Sequence, residues 1–245
     1  MVSLKKFIIN FLFGKEVKFQ TYDNFNEAKN VANDYEENNF LVDLIIDKTK
    51  KFKHLLNHNE PIDYINIRTF FPFILFENNE NLQVLDFGGA AGAHYFLYKY
   101  YFGQSQKIQW HVVETNIMVE KAKLCDLEND ELKFFSSIEE IEKKYINNYD
   151  LIYANASIQY TDNPYSTLKK LFNLNPKNIF ITRTPFDLKV RNDIIGIRKS
   201  NLNSNGIGQF EGEYEKKNFD INYPFTIINK HKFEELLIKH NRTFY

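Results

Sequence analysis

Apolar residues recur along this chain in two different rhythms, and the change falls near residue 81. Before it the spacing is helical. In NFNEAKNVANDY, residues 24–35, Phe25, Ala28, Val31, Ala32 and Tyr35 share one face, and Asn24 with Glu27 has the spacing of a capping box. FLVDLIIDKTKKFKHLL carries Leu41, Leu44, Ile45, Phe52 and Leu55 along a broad stripe, and INIRTFFPFILFENN is apolar but interrupted by Pro72. These three segments predict an N-terminal helical annex over residues 1–80.

From Leu82 short apolar runs alternate with amphipathic segments. LQVLDF, IQWHVVE, LKFF, YDLIYAN and NIFIT read as strands. Asn116, the capping box Ser137 with Glu140, and Asn163 followed by Pro164 predict the starts of the intervening helices. Strand and helix alternate as far as Thr182, which predicts an α/β fold with a doubly wound, mostly parallel sheet over residues 81–245. The alternation then fails over about 183–226, where Gly196, Gly206, Gly208 and Gly212 suggest a lid-like insertion after the fifth strand. A last helix, NKHKFEELLIKH, is capped by Asn229, and only NRTFY follows it. At most one strand fits there, so the expectation is a truncated sheet, a sheet completed by a second chain in a homodimer, or a fragment.

Composition narrows the classes of function. The 245 residues allow one large domain with an annex, and a formal charge of -1 gives no footprint for bulk nucleic-acid binding. A single cysteine, Cys125, excludes an intrachain disulfide framework and points to a reducing, cytoplasmic compartment. The N-terminal apolar patch Phe7 to Phe13 follows two lysines and is too short to span a bilayer. It predicts a helix, either packed on the domain or a partner, or lying at the inner face of a membrane. Of the six histidines only His54 and His58 have a paired spacing, four residues apart, and with no cysteine set beside them no catalytic metal is expected.

The chemistry concentrates in VLDFGGAAGAHYF, Val84 to Phe96. In a parallel sheet the first strand-to-helix turn is where the polar parts of a cofactor meet exposed backbone N–H groups. Gly88 and Gly89 allow a sharp turn, Gly92 lets the helix begin close to the strand, and Asp86 can accept from an ammonium group or ordered water. Glu114, at the end of the next strand, is placed to hold two ribose hydroxyls. A dinucleotide fingerprint wants glycine where Ala90 and Ala93 stand, so a cofactor without a pyrophosphate fits better.

VLDFGGAAG resembles the first motif of class I S-adenosylmethionine-dependent methyltransferases, with Ala90 at the usual middle glycine. FGGAAGAHYF, WHVVE, LKFFSSIEE, ANASIQYTDNPY, ITRTPF and NYPF resemble, in that order, a methyltransferase family of bacterial surface-polysaccharide gene clusters, which also lacks that glycine. The resemblance implies S-adenosylmethionine as cofactor and S-adenosylhomocysteine as product. It implies Asp86, Gly88, Gly89 and Gly92 at the methionine end, Glu114 at the ribose, and Ser136, Ser137 and Ile138 near adenine, with Ser137 equally well explained as a helix cap. The implied acceptor is a sugar, a nucleotide-linked sugar or a related precursor of capsule or lipopolysaccharide.

Methyl transfer to a hydroxyl needs in-line alignment and removal of a proton. Asn155, Gln159 and Tyr160 follow the fourth strand, whose carboxyl end adjoins the transferred methyl in this fold class, and Asn155 is assigned to the cofactor. Tyr160, His94 and Asp162 are the catalytic candidates, with Asp187 a further carboxylate, while Tyr160 also suits an aromatic wall. Tyr95, Gln159 and Arg183 are the candidates for acceptor binding, because the Arg183 fork suits a phosphate or carboxylate. Arg191 and Arg198 are expected at the surface. The alternatives are an NAD(P)-dependent oxidoreductase and a catalytically degenerate cofactor- or partner-binding module.

Overall fold

The computed structural model describes residues 9–10, 16–17, 20–32, 39–60, 72–74, 81–102, 107–145, 149–188, 192–207 and 220–243. Its centre is a five-stranded sheet built from β4 (Asn81–Phe87), β5 (Lys107–Val113), β6 (Leu132–Phe135), β7 (Leu151–Asn155) and β8 (Asn178–Thr182). The spatial order is β6-β5-β4-β7-β8, with every neighbouring pair parallel. Strand order therefore reverses at β4, the topological switch point where such sheets bind ligands beyond their carboxyl ends.

Both faces of this sheet are covered, which is why its strands read as nearly continuous apolar runs. On one face Leu82, Val84, Trp110 and Val112 pack against α2 (Asn39–Asn57), α3 (Ala93–Tyr101) and α4 (Asn116–Leu124). Phe73, in a short helical turn, meets Trp110 at 5.3 Å and Tyr153 at 5.4 Å between ring centroids. On the other face Leu85, Val113 and Ile152 pack with residues of α5 (Ile138–Lys144), α6 (Pro164–Asn173) and α7 (Lys230–Lys239). Leu41, Leu44 and Ile45 of α2 belong to the same core as β4, so the annex shares its apolar interior with the sheet.

Predicted caps recur as hydrogen bonds. Asn24 Oδ1 accepts from Glu27 N at the start of α1 (Phe25–Val31), Ser137 Oγ from Glu140 N, Asn163 Oδ1 from Ser166 N and Asn229 Oδ1 from Lys232 N. At α4 the cap position is Thr115 rather than Asn116.

Two expectations change. Ile9–Asn10 (β1) pairs antiparallel with Glu16–Val17 (β2), so the described part of the N-terminal apolar patch is strand rather than helix. Much of the segment expected as a lid is a second sheet, ordered β3 (Thr21–Tyr22), β10 (Ile194–Asn201), β11 (Asp220–Asn229), β9 (Phe186–Asp187). β10 and β11 run antiparallel from Ile194 opposite Ile227 to Asn201 opposite Asp220. Pro224 hid β11, since proline removes a ladder donor. It is tolerated because β9 pairs with β11 only at Ile228 and Asn229, leaving the far edge beside Pro224 without a strand among the described residues. Gly208, Gly212, Tyr35, Arg191 and most of the third expected helix lie outside the described residues.

Candidate functional site

A cavity of about 800 Å³ opens beyond the carboxyl ends of β4, β5, β6 and β7, a size ordinary for cofactor and small-molecule sites at about 300–1,000 Å³. Its floor is the turn after β4. Gly88 adopts φ 68° and donates its N–H to Val113 O at 2.9 Å. A Cβ there would stand 2.3 Å from Ser157 Cβ, so the β4 and β7 turns meet with no room for a side chain. At Gly89 the corresponding space is filled by the Asp86 carboxylate, 2.4 Å from an added Cβ to Cγ. Ala90 stands at φ 52° where the usual motif has glycine. That conformation costs an L-residue roughly 1–2 kcal/mol, and the bond from Ala90 N to Glu114 Oε1 at 3.0 Å holds it.

Glu114 is itself oriented by Thr115 N, which donates to Oε2 at 2.8 Å. Two backbone donors thus fix a carboxylate on the cavity wall. Beside it Ser136, Ser137 and Ile138 line the same wall. Both serines also serve the start of α5. Ser137 caps it, while Ser136 N and Oγ donate to Glu140 Oε2 at 3.0 and 3.3 Å. The Ser136 N–H, ahead of Lys144, holds the Glu140 carboxyl below its ordinary range.

Under the floor lies a buried polar chain. Asp86, which is buried, accepts at Oδ2 from His94 Nδ1 at 3.0 Å and from Trp110 Nε1 at 3.4 Å. His94 Nε2 lies 3.4 Å from Asn155 Nδ2, and Asn155 Oδ1 accepts from Thr182 Oγ1 at 2.9 Å. In this network His94 carries its proton on Nδ1 and presents Nε2 as the acceptor. The expectation that Asp86 faces a ligand amine or water is corrected: Gly89 covers the carboxylate, and its partner is His94, which does line the cavity. Asp86 Oδ1 and Ser157 Oγ are buried without partners among the described residues, and Ser157 lies on the cavity wall.

The roof comes from the second sheet and the annex. Arg198 and Ser200 project from β10 at strand spacing, Tyr223 from β11, and Thr49 from α2. Arg198 Nη1 donates to Tyr160 Oη at 2.9 Å, and the Tyr160 and Tyr223 rings meet edge-on at 4.9 Å. Burial raises the pKa of the Tyr160 hydroxyl, with Arg198 acting against it. Lys48 Nζ donates to Asn205 O at 2.6 Å, tying α2 to the roof, and burial lowers its pKa to about 8. Arg198 is exposed, as expected of a surface group, and its place is at the cavity.

Gly88, Gly89, His94, Glu114, Ser136, Ser137, Ile138, Asn155, Tyr160, Asp162 and Arg183 line this one space, with Asp162 exposed at its rim. Gly92, at φ 79°, sits behind it against Leu132 and Phe134. Two acceptor-binding expectations are corrected. Tyr95 turns away, its hydroxyl donating to Glu131 Oε2 at 2.7 Å, and burial followed by Glu131 pushes its pKa up. Gln159 is 1% exposed, donating from Nε2 to Arg183 O at 3.1 Å and accepting at Oε1 from Thr184 Oγ1 at 3.1 Å, so it fastens backbone rather than ligand. Asp187 lies in β9, outside the cavity lining. Ser157, Arg198 and Tyr223 escaped the sequence reasoning; the alternation Arg198, Ser200 was the available signal for the roof. Among the described residues no three His, Cys, Asp or Glu side chains gather as a metal site, and no helix is long and apolar enough to cross a membrane.

No protein-family model and no curated protein sequence matches the chain. Solved structures similar to it include an S-adenosylmethionine-dependent methyltransferase from Clostridium acetobutylicum, at 15% identity over 79% of this chain and 86% of that one, TM-score 0.43. Another is the N-terminal domain of EvdMO1 with S-adenosylhomocysteine bound, at 10% identity over 80% and 85%, TM-score 0.43. Human N-acetylserotonin methyltransferase in complex with S-adenosylmethionine is similar at 16% identity over 60% of this chain and 40% of that one, TM-score 0.38.

Proposed function

We propose that this chain is a class I S-adenosylmethionine-dependent methyltransferase. The observation that carries the proposal is the convergence, at the switch point of a parallel sheet, of the glycine turn, Glu114, the Ser136–Ile138 turn and the Asn155–Ser157 turn on one cavity. The residues fit the cofactor. A backbone-oriented carboxylate suits a ribose diol, the side-chain-free Gly88 and Gly89 permit close approach, and Ser157 Oγ is a buried hydroxyl still without a partner. When bound, S-adenosylmethionine supplies an electrophilic methyl group.

The chain's own residues then divide the remaining work. Glu114 holds the ribose, Ser136 to Ile138 flank adenine, and Gly88, Gly89, Asn155 and Ser157 surround the methionine end. His94 Nε2 takes the proton from the acceptor hydroxyl, with Asp86 orienting the imidazole and stabilising its charged form. Tyr160 and Asp162 stand at the rim as the other polar groups within reach of an acceptor, and Arg183 orients it. The polysaccharide-cluster resemblance supports a sugar, nucleotide-linked sugar or related surface-glycan precursor as acceptor, methylated on oxygen. Calorimetric titration with S-adenosylhomocysteine and with NAD tests the reading. Binding of the former is expected, and heat from NAD alone would favour an oxidoreductase. S-adenosylhomocysteine binding with no methylated product from any such precursor would favour a binding module.

A further inference from the structure

We infer that Arg183 and Arg198 form one oxyanion-binding cradle at the mouth of the cavity, so that the acceptor is a phosphoryl- or carboxylate-bearing molecule. The two arginines come from distant segments, one just after β8 and one within β10, yet both line the same cavity. Adjacent residues of a single 3-10 turn, Ile158–Tyr160, fasten both: Gln159 holds Arg183 by its carbonyl and Tyr160 holds Arg198 by its guanidinium. Arg183 is kept at φ 56°, a left-handed conformation that costs a non-glycine residue roughly 1–3 kcal/mol. The buried Gln159 amide, bonded to both Arg183 and Thr184, is what over-determines it.

Neither guanidinium makes an ion pair among the described residues. Lys170, which lines the same cavity, is by contrast paired with Glu139 at 2.7 Å, and Glu114 is held by two backbone N–H groups. Among the described residues Arg198 uses one donor, on Tyr160, leaving most of its planar fork for a ligand, and the Arg183 fork has no partner. Two forks at one rim match the oxygens of a phosphate or carboxylate far better than a neutral sugar. Calling the ligand the acceptor rests on the methyltransferase reading; the cradle itself does not.

The test is calorimetric titration of pyrophosphate, and separately of malonate, into the protein without cofactor at fixed ionic strength. Wild type is compared with Arg183→Gln and Arg198→Gln, both conservative changes at the cavity rim. Pyrophosphate binding that falls at least tenfold in each variant supports a phosphoryl acceptor, and the same loss with malonate alone supports a carboxylate. Absence of binding by both probes, or binding that either variant leaves intact, overturns the cradle. S-adenosylhomocysteine is titrated in a separate arm. Its failure to bind wild type would sink the methyltransferase reading without touching the anion result.

Discussion

Asp86 Oδ2 and His94 Nδ1 lie 3.0 Å apart, with 1% and 7% of their side-chain surfaces exposed. The acid that opens the glycine turn is thereby partnered to an imidazole from the helix that closes it. Among the described residues, His94→Phe would leave the buried carboxylate with Trp110 Nε1 at 3.4 Å as its remaining side-chain donor. A loss of about 3 kcal/mol is expected, since a buried carboxylate stripped of a hydrogen-bond donor is left with its desolvation cost uncompensated. Adding Asp86→Asn to His94→Phe should return about 1–2 kcal/mol, the coupling of two groups in contact. Denaturant unfolding of wild type, His94→Phe, Asp86→Asn and the double variant checks both numbers.

Gly88→Ala should destabilise the fold by about 2–3 kcal/mol, from overpacking and from a left-handed φ. The added Cβ meets Ser157 Cβ at 2.3 Å, so Ser157→Gly in the same chain should restore part of the loss but not the cost of φ 68°. Thermal unfolding measures the rescue, and S-adenosylhomocysteine titration should show weaker binding in the single variant.

Glu114→Gln keeps a carbonyl oxygen able to accept from Ala90 N or Thr115 N, and so should alter stability by no more than about 1 kcal/mol. It removes the charge from the proposed ribose bonds, and charge-assisted bonds are roughly twice as strong as neutral ones. S-adenosylhomocysteine should bind about tenfold more weakly by calorimetry. Unchanged affinity would remove Glu114 from the cofactor site.

Burial lowers the pKa of His111 to about 4, while its Nδ1 lies 2.6 Å from Tyr149 Oη and the rings of Phe135 and Tyr145 pack around it. The unfolded chain takes up that proton near pH 6.5 and the native protein only near 4, so the native state loses ground as pH falls through 6.5 and the loss levels off below 4. The full effect is about 3 kcal/mol. Melting temperature followed from pH 7 to 4 should fall, and should fall less in His111→Phe/Tyr149→Phe, which removes both polar partners together.

The parallel core was legible because its strands are short, mainly apolar runs and two of its helices announce their caps, Ser137 and Asn163. The cavity floor was legible for the same reason, since the turn after β4 must lie at the switch point. Direction was not. His94 and Tyr95 are neighbours in sequence, but successive helix residues point about 100° apart, and one faces Asp86 while the other reaches Glu131. The roof was hidden because β10 mixes Arg198, Lys199 and Ser200 with its apolar residues, and Pro224 interrupts β11. Gln159 looked like a ligand group because nothing in the sequence reveals that the Arg183 backbone needs a clamp.

Floor and roof of the cavity belong to separate hydrogen-bonded sheets, one parallel and one largely antiparallel. Side chains of β10 and β11 can therefore be exchanged without breaking a single ladder bond under the glycine turn. The β10–β11 ribbon is in this sense a replaceable jaw closing on a fixed anvil. On the proposed reading, divergence of such a protein toward new acceptors would be written in Arg198, Ser200 and Tyr223, while the proposed cofactor seat stayed as it is.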